Sequence, residues 1–431
     1  MLVASASCEG GRSASRVIDT TISTVHPLRG TGMATHGKGS VWAAEQKTFT
    51  EPVSGARITQ LTDYYAHSNH AYFTESGWYD NNRRLLFVSD RDDSTNLFSL
   101  DLAEGEITQL TELDRRAHTF GRKVSVNPVR DEAYYYVDDT LMAIDLHTLR
   151  ERALHQRPHG FFQGATNATA DGRYVVTHHV EDPTVRWRAE IGDDYPRWAD
   201  YMQGRKGPAV SDIRQRILDS HPLSMIIKVA TDGSGHEVAY QEHHYMGHVN
   251  TSPTLPHIMT FCHEGAWHLV DNRIWGLDLD TGEVWPIRPT GKNEAVGHEY
   301  WMADGEHLGY HGRTPNGPIY GSIRYDNTEQ VEAPFTYGST HFHSLSLDTI
   351  VGDGSRSDPY LLLWRFRNGQ FEGPKVLAWH RGSLQTGYLH IHPRFTPDGS
   401  QVLYTADPQG YGQIFLADIP EWEALPDRTS V

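Results

Sequence analysis

Cysteine, long apolar runs and an excess of positive charge are all scarce in this sequence. Two of its 431 residues are cysteine, Cys8 and Cys262, and Cys8 lies in a segment without hydrophobic periodicity. We therefore expect no structural disulfide and a reducing, cytoplasmic compartment. No apolar run approaches the ~20 residues of a membrane-spanning helix, and the N-terminus lacks the apolar core of a secretory signal. The net charge of −17 argues against nucleic acid or an anionic membrane as a partner.

Histidine, in contrast, is abundant, with 26 residues in the chain. A single histidine is more often a surface or hydrogen-bonding residue than a ligand, although histidine is the commonest metal ligand in proteins. Groups of histidines that recur at similar places in a repeat indicate a functional role instead. Five such groups are His67 and His70; His243, His244 and His248; His263 and His268; His341 and His343; and His390 and His392.

A repeated pattern of turn and strand organises most of the chain. Residues 1–46 are rich in Ser, Gly, Ala and Thr, which predicts a disordered tail with Met33 as a candidate start. Beyond this tail, a tight turn precedes a short apolar strand again and again, as in ATADGRYVVTHHV (168–180) and FTPDGSQVLYTAD (395–407). Asp-Gly supplies the positive φ that a tight hairpin needs. Four strands in a period of roughly 40 residues are typical of a propeller blade.

Seven such units predict an all-β fold, a seven-bladed β-propeller of four-stranded antiparallel blades. It spans 47–421, before a C-terminal tail at 422–431. Residues 48–62 supply a strand that the last unit lacks, so their pairing would close the ring; an open array of two β-domains is the alternative. Helical spacing in 184–221 predicts a helical insertion within the third blade that serves binding. The units are 78–111, 126–154, 168–240, 252–287, 301–335, 345–377 and 395–420.

Histidines at one repeat position predict a His-lined funnel on the propeller axis. His390 and His392 stand two residues apart before the last unit, so on an extended strand both imidazoles point to one face. His298 precedes the fifth unit and His248 the fourth in nearly the same place. Three histidines and an oxygen ligand suit manganese, iron or zinc. The alternative is that His390 and His392 only cap a strand.

The stretch FCHEGAWHLVDNRIW (261–275) concentrates charge in one loop. It carries His263, Glu264, His268 and Arg273 without a surface helix that would explain them. Both a hydrogen-bonded structural loop and a substrate-contact loop fit this composition.

Several of these segments closely resemble motifs of the oligogalacturonate lyases. CHEGAWHLVDNRIW resembles that family's CHEGPHDLVDARMW-like segment, and GHEYW resembles its THEFW-like motif. HFHS followed by VGDGS resembles the family's SHLMSN…LLVGDGS stretch, and LHIHPRFTPDGSQVLYTAD resembles its THPHPSFTPD…QVLFTSD stretch. The motifs occur in order between about residues 47 and 420.

The resemblance implies a manganese-binding propeller that acts on unsaturated digalacturonate and short oligogalacturonates inside the cell. The family's metal-binding histidines carry over onto His298, His390 and His392. Its glutamine ligand would lie three residues before the HxH pair, where this chain has Gly387; the nearby Gln385 is the candidate instead. At its fourth ligand position the chain therefore departs from the family's motif.

The reaction implied is β-elimination across C4–C5 of a uronate. The family's histidine base carries over most readily onto His248, with His263 as runner-up. A divalent cation stabilises the enediolate, and a neutral histidine removes the C5 proton. Candidate substrate contacts are Arg188, His263, Arg273, His341 and Arg381; for each arginine a surface ion pair is the alternative.

Three other functions share parts of this pattern. A lyase for another uronate oligomer, such as ulvan or a rhamnogalacturonan fragment, would use the same scaffold. A non-catalytic module resembling TolB has similar repeats but does not need the histidine groups. The propeller of a serine peptidase would need a Gly-x-Ser-x-Gly elbow, which the sequence lacks. Oligomeric state, substrate length and the metal used in the cell do not follow from the sequence.

Overall fold

The computed structural model describes residues 36–113, 124–198, 213–268, 270–384 and 389–431. Within these ranges the chain forms seven antiparallel sheets of four to six strands. They follow one another along the sequence as the blades of a β-propeller, which confirms the predicted architecture. None of the helices in these ranges combines the length and hydropathy needed to cross a membrane.

Most blades are built from consecutive strands. The described part of the chain begins with three short strands, β1 (Val41–Trp42), β2 (Lys47–Thr50) and β3 (Arg57–Gln60). Blade one combines β1 with β4 (Ser68–His70), β5 (Trp78–Tyr79), β6 (Arg84–Ser89), β7 (Asn96–Asp101) and β8 (Ile107–Gln109). Blade two contains β9 (Ser125–Val126), β10 (Glu132–Val137), β11 (Thr140–Asp145) and β12 (Glu151–Gln156). Blade three contains β13 (Phe161–Ala168), β14 (Tyr174–Glu181), β15 (Leu223–Ala230) and β16 (His236–His243).

The remaining blades repeat this order. Blade four contains β17 (Met246–Thr251), β18 (Ile258–His263), β19 (Ile274–Asp278) and β20 (Val284–Ile287). Blade five contains β21 (Ala295–Trp301), β22 (His307–Thr314), β23 (Gly317–Arg324) and β24 (Val331–Pro334). Blade six contains β25 (Phe342–Ser346), β26 (Thr349–Gly352), β27 (Tyr360–Arg367) and β28 (Gln370–Trp379). Blade seven contains β29 (Arg394–Phe395), β30 (Gln401–Ala406) and β31 (Gln413–Asp418), together with β2 and β3.

Blade seven closes the ring by joining the two ends of the chain. Strand β3 pairs with β31, with Ile58 opposite Ala417 and Gln60 opposite Phe415. Ile58 is fully buried in a cluster with residues of blades six and seven. The closure predicted from residues 48–62 is therefore confirmed, and the open array of two β-domains is wrong.

Two helices lie in the chain between β14 and β15. Helix α1 (Pro183–Ile191) begins after Asp182, whose side chain accepts a hydrogen bond from the Thr184 amide, and α2 is Ile213–Asp219. Trp198, Ile213 and Ile217 form a buried cluster against Phe162 and Tyr245. Residues 199–212 of the predicted insertion lie outside the described ranges, so the insertion as a whole stays a prediction.

Residues 36–46 pack more closely than their composition suggests. Val41 and Trp42 pair with Thr108 and Ile107, and Glu45 binds the guanidinium of the buried Arg91 through two bonds of 2.7 and 3.1 Å. The disordered tail predicted up to residue 46 is therefore wrong for 36–46, because Trp42 and Glu45 anchor this segment to blade one.

The C-terminal segment 422–431 folds back onto blade six. Leu425 is 3% exposed, the carbonyl of Pro426 accepts the amide of Val376, and Arg428 binds Asp358 at 2.7 Å. A small apolar contact and several ion pairs, including one of 2.9 Å between Lys375 and Asp427, therefore hold this end against the sheet.

The core lies between neighbouring blades. Leu86 and Val88 of blade one pack with Tyr135 and Ile144 of blade two, and comparable clusters fill the other seams. The first strands of neighbouring blades, such as β13 and β17 or β25 and β29, contact each other. These strands are therefore the innermost ones, and residues on or next to them face the central funnel.

Candidate active site

Two β-bulges place histidines at matching positions of neighbouring blades. His248 in β17 and His298 in β21 each follow a glycine, and their φ angles are 47° and 51°. The strand register shifts at both places, between Gly247 and Asn250 and between Gly297 and Tyr300. A bulge re-aims a side chain, and positive φ at a residue other than glycine costs about 1–3 kcal/mol. The fold thus maintains strain at both histidines.

Three histidines from blades six and seven form a close group. His341, His390 and His392 each offer a ring nitrogen, and these nitrogens all lie within 4.8 Å of one another. The ring centroids are 4.3 Å apart for His341 and His392 and 5.5 Å apart for His390 and His392. The predicted pair, His390 and His392, therefore lies close together. Both residues precede β29 in the chain and are not on an extended strand, since His392 has a φ angle of 44°.

His341 is the third member, where the sequence had suggested His298. Its Nδ1 lies 2.7 Å from Oδ2 of Asp353, whose other carboxylate oxygen accepts the amides of Thr340 and His341 at 2.8 Å. Asp353 is fully buried, and because an ionised carboxylate only accepts, Nδ1 carries the proton and Nε2 the lone pair. Metal-bound histidines are usually oriented in this way. The sequence analysis missed Asp353, although the VGDGS motif contained it.

His298 lies beside this group rather than within it. Its ring stacks on His341 at 5.1 Å, and its Nδ1 is 3.1 Å from Nε2 of His311. Burial, followed by the neighbouring His311 and His341, lowers the pKa of His298 well below its ordinary value. Because Nδ1 of His298 is bonded to His311, Nε2 is the ring nitrogen of His298 that can bind a metal ion.

An aromatic pair that the sequence analysis did not identify lies among these histidines. The ring of Tyr72 is 4.8 Å from that of His392 and 5.9 Å from that of His248. The ring of Phe73 is 5.3 Å from that of His341. Their segment is anchored from other blades, since Arg394 donates to the Phe73 carbonyl and Asn167 donates to the buried Glu75 at 2.6 Å. Tyr72 and Phe73 therefore form an apolar surface between His248 and the histidine group.

The runner-up base, His263, is bonded at both ring nitrogens. Nδ1 lies 2.7 Å from Asp271 and Nε2 lies 2.7 Å from Glu242, while the ring stacks on His244 at 3.8 Å. Burial alone would lower the pKa of His263, but the bonds to Glu242 and Asp271 raise it. Carboxylates therefore engage both nitrogens of His263, and its role as a base or substrate contact stays a prediction.

The three candidate arginines have protein partners elsewhere. Arg188 binds the carbonyl of Tyr195 inside the insertion, and Arg381 stacks on Trp379 at 4.7 Å. Arg273 is 3% exposed and donates to the His263 carbonyl and to Glu264.

None of these contacts, in the part of the chain that is described, joins an arginine to the histidine group. Arg273 is buried and bonded within blade four, and its predicted substrate contact stays a prediction. Gln385 lies outside the described residues, so its role stays a prediction.

Comparisons with known proteins agree on one family. The family model described as oligogalacturonate lyase matches residues 36–316. The chain is 28% identical to an oligogalacturonide lyase of Pectobacterium atrosepticum, over 87% of this chain and 96% of that protein. It is 26% identical to an oligogalacturonate lyase of Dickeya dadantii, over 89% and 98%. A solved oligogalacturonate lyase in complex with manganese superimposes with a TM-score of 0.75 at 26% identity, over 89% of this chain and 99% of that one.

Proposed function

Because the chain belongs to the oligogalacturonate lyase family, we propose that it splits unsaturated digalacturonate and short oligogalacturonates by metal-dependent β-elimination, yielding 4-deoxy-5-keto-uronate products. The observation that carries this proposal is the convergence of His341, His390 and His392, with His248 separated from His392 by the ring of Tyr72.

The histidine group fits a divalent transition metal by the chemistry of its donors. Imidazole nitrogens suit manganese, iron and zinc, and the three available nitrogens lie close enough to share one ion. His341, His390 and His392 would hold it, with Nε2 of His298 as a candidate fourth donor. When bound, Mn²⁺ or a similar ion would withdraw charge from the substrate carboxylate and make the C5 proton more acidic. The manganese complex of a relative supports this choice of ion.

His248 is the proposed general base. Its side chain is 23% exposed, so a substrate in the funnel can reach it. A neutral imidazole accepts the C5 proton, the electron pair of that bond forms the C4–C5 double bond, and the C4–O4 bond breaks. The leaving oxygen takes up a proton from solvent. The released 4,5-unsaturated uronate then opens its ring and tautomerises to the 4-deoxy-5-keto product. The half-buried Tyr72 and the buried Phe73 limit the access of water from one direction.

We place this activity in the cytoplasm, where short pectin fragments would arrive after uptake. The support is chemical: Cys262 is buried and free, and the chain has one other cysteine.

Two substitutions test the proposal. In His248→Ala, release of the 4,5-unsaturated product should cease while the metal content of the purified protein stays unchanged. In His390→Ala, metal and activity should be lost together. His243→Ala, an exposed histidine of β16, is the matched control and should behave as the unsubstituted protein.

A panel of uronate oligomers should accompany these variants. Full activity of His248→Ala would remove it as the base. Faster turnover of an ulvan or rhamnogalacturonan fragment than of digalacturonate would assign another substrate to the same site.

A further inference from the structure

A carboxylate lies directly behind the proposed base. Oε1 of Glu264 is 3.3 Å from Nε2 of His248, and the Glu264 side chain is 17% exposed. The register of blade four creates this contact, since Gly247 pairs with Cys262 and the Glu264 amide donates to the Tyr245 carbonyl. A Cβ on Gly247 would lie 2.6 Å from Oε1 of Glu264, so only glycine leaves room for the carboxylate beside the histidine.

The second oxygen of this carboxylate is held by a buried arginine. Nη1 of Arg273 lies 3.3 Å from Oε2 of Glu264 and 3.1 Å from the His263 carbonyl. Arg273 is always charged, so it balances the negative charge that the partly buried carboxylate brings into the blade. The three side chains form a line from Arg273 through Glu264 to His248.

From this geometry we infer that Glu264 is the residue that positions His248 for proton abstraction. Oε1 of Glu264, which also accepts from Sγ of Cys262 at 3.8 Å, lies within ion-pair distance of Nε2 of His248. An ionised carboxylate at this place favours the tautomer with the proton on Nε2 and leaves Nδ1 as the atom that can accept one. Glu264 thereby fixes the tautomer before the reaction and stabilises the imidazolium that forms when the C5 proton arrives. Arg273, expected from the sequence to bind substrate, instead holds Glu264. The inference rests on the proposed role of His248 as the base.

The test is Glu264→Gln in the full chain loaded with Mn²⁺, with unsaturated digalacturonate as the substrate. A glutamine NH₂ can donate to Nε2, which would move the proton to Nδ1 and remove the basic atom. We expect kcat to fall by about 10²-fold or more, with KM changed by less than about threefold and the metal content unchanged. With substrate deuterated at C5, the isotope effect on kcat should rise, because proton abstraction becomes slower relative to product release.

The matched control is Glu294→Gln. Glu294 also binds a buried arginine, Arg288, but no histidine. This variant should show the stability loss of a broken Arg–Glu pair with kcat unchanged. If Glu264→Gln does not fold, Gly247→Ala offers a second route, because it displaces the intact carboxylate; it should also lower kcat with the metal retained.

Three outcomes would overturn the inference. They are a kcat for Glu264→Gln within about threefold of the unsubstituted enzyme, a loss of kcat that merely follows loss of metal or folded protein, and an unchanged isotope effect. The comparison with His248→Ala separates the role of Glu264 from the role of His248 as the base. An inactive His248→Ala beside a fully active Glu264→Gln removes only the role of Glu264, whereas an active His248→Ala removes the base itself.

Discussion

A buried pair of histidines between blades two and three should make the protein sensitive to mild acid. His155 and His179 are 8% and 0% exposed, and their Nε2 atoms are 2.9 Å apart. Burial, with His236 beside it, lowers the pKa of His155 to about 4, and burial with the charge of His155 lowers that of His179 to about 3. Both rings are neutral near neutral pH, and the N–H of one ring donates a hydrogen bond to the Nε2 atom of the other.

The sign of the pH effect follows from the direction of these shifts. Below the unfolded value of 6.5 the unfolded chain binds a proton at each histidine, whereas the folded chain does not until the pH approaches 4. Stability is therefore fully present above pH 6.5 and falls as the pH decreases through this window. Between about pH 7.5 and about pH 5, each histidine should lower the free energy of unfolding by about 2 kcal/mol, since one pKa unit corresponds to about 1.4 kcal/mol.

The perturbation is His155→Gln, which keeps a hydrogen-bond donor for His179 but cannot titrate. Urea unfolding at the two pH values should show that the variant loses about 2 kcal/mol less than the unsubstituted protein. His243→Gln, at an exposed position of β16, is the matched control and should follow the unsubstituted protein. Equal losses in His155→Gln and the unsubstituted protein would show that the folded pair accepts protons without penalty, and the reasoning would fail.

Further predictions concern the site, the ring closure and another buried group. Asp353→Asn should weaken Mn²⁺ binding by about 10–100-fold in calorimetric titration, because His341 loses the carboxylate that orients it; an unchanged affinity would exclude His341 as a ligand. Ile58→Ala should lower the free energy of unfolding by about 2–5 kcal/mol, because this fully buried side chain packs where β3 closes blade seven; a loss below about 1 kcal/mol in urea unfolding would mean that closure contributes little. Burial raises the pKa of Glu75 to about 8. Between pH 4.5 and pH 8 this carboxyl is therefore ionised in the unfolded chain but protonated in the folded one, and the free energy of unfolding falls as the pH rises. Glu75→Gln should remove a decline of about 1.4 kcal/mol per pH unit in that window, and a persistent decline would contradict the protonated state of Glu75.

The fold could be predicted because its determinants are local. A turn such as Asp171-Gly172 or Asp398-Gly399, followed by an apolar strand, repeats along the chain and cannot bury its own face without neighbours. Even the closure by β3 followed from counting strands. The ordered segment 36–46 was missed because its anchors, Trp42 and Glu45, act through contacts with Ile107 and Arg91 far along the chain.

The sequence by itself determined the repeat, the blade number and the pairing of His390 with His392, because each depends on residues close together in the chain. Only the tertiary structure decided which other groups meet them. It brought His341 to the pair, bonded His263 to a carboxylate of blade three, and turned Arg273 toward Glu264. Such contacts depend on how the blades close around the axis and on bulges that re-aim single side chains, and neither is encoded in local periodicity.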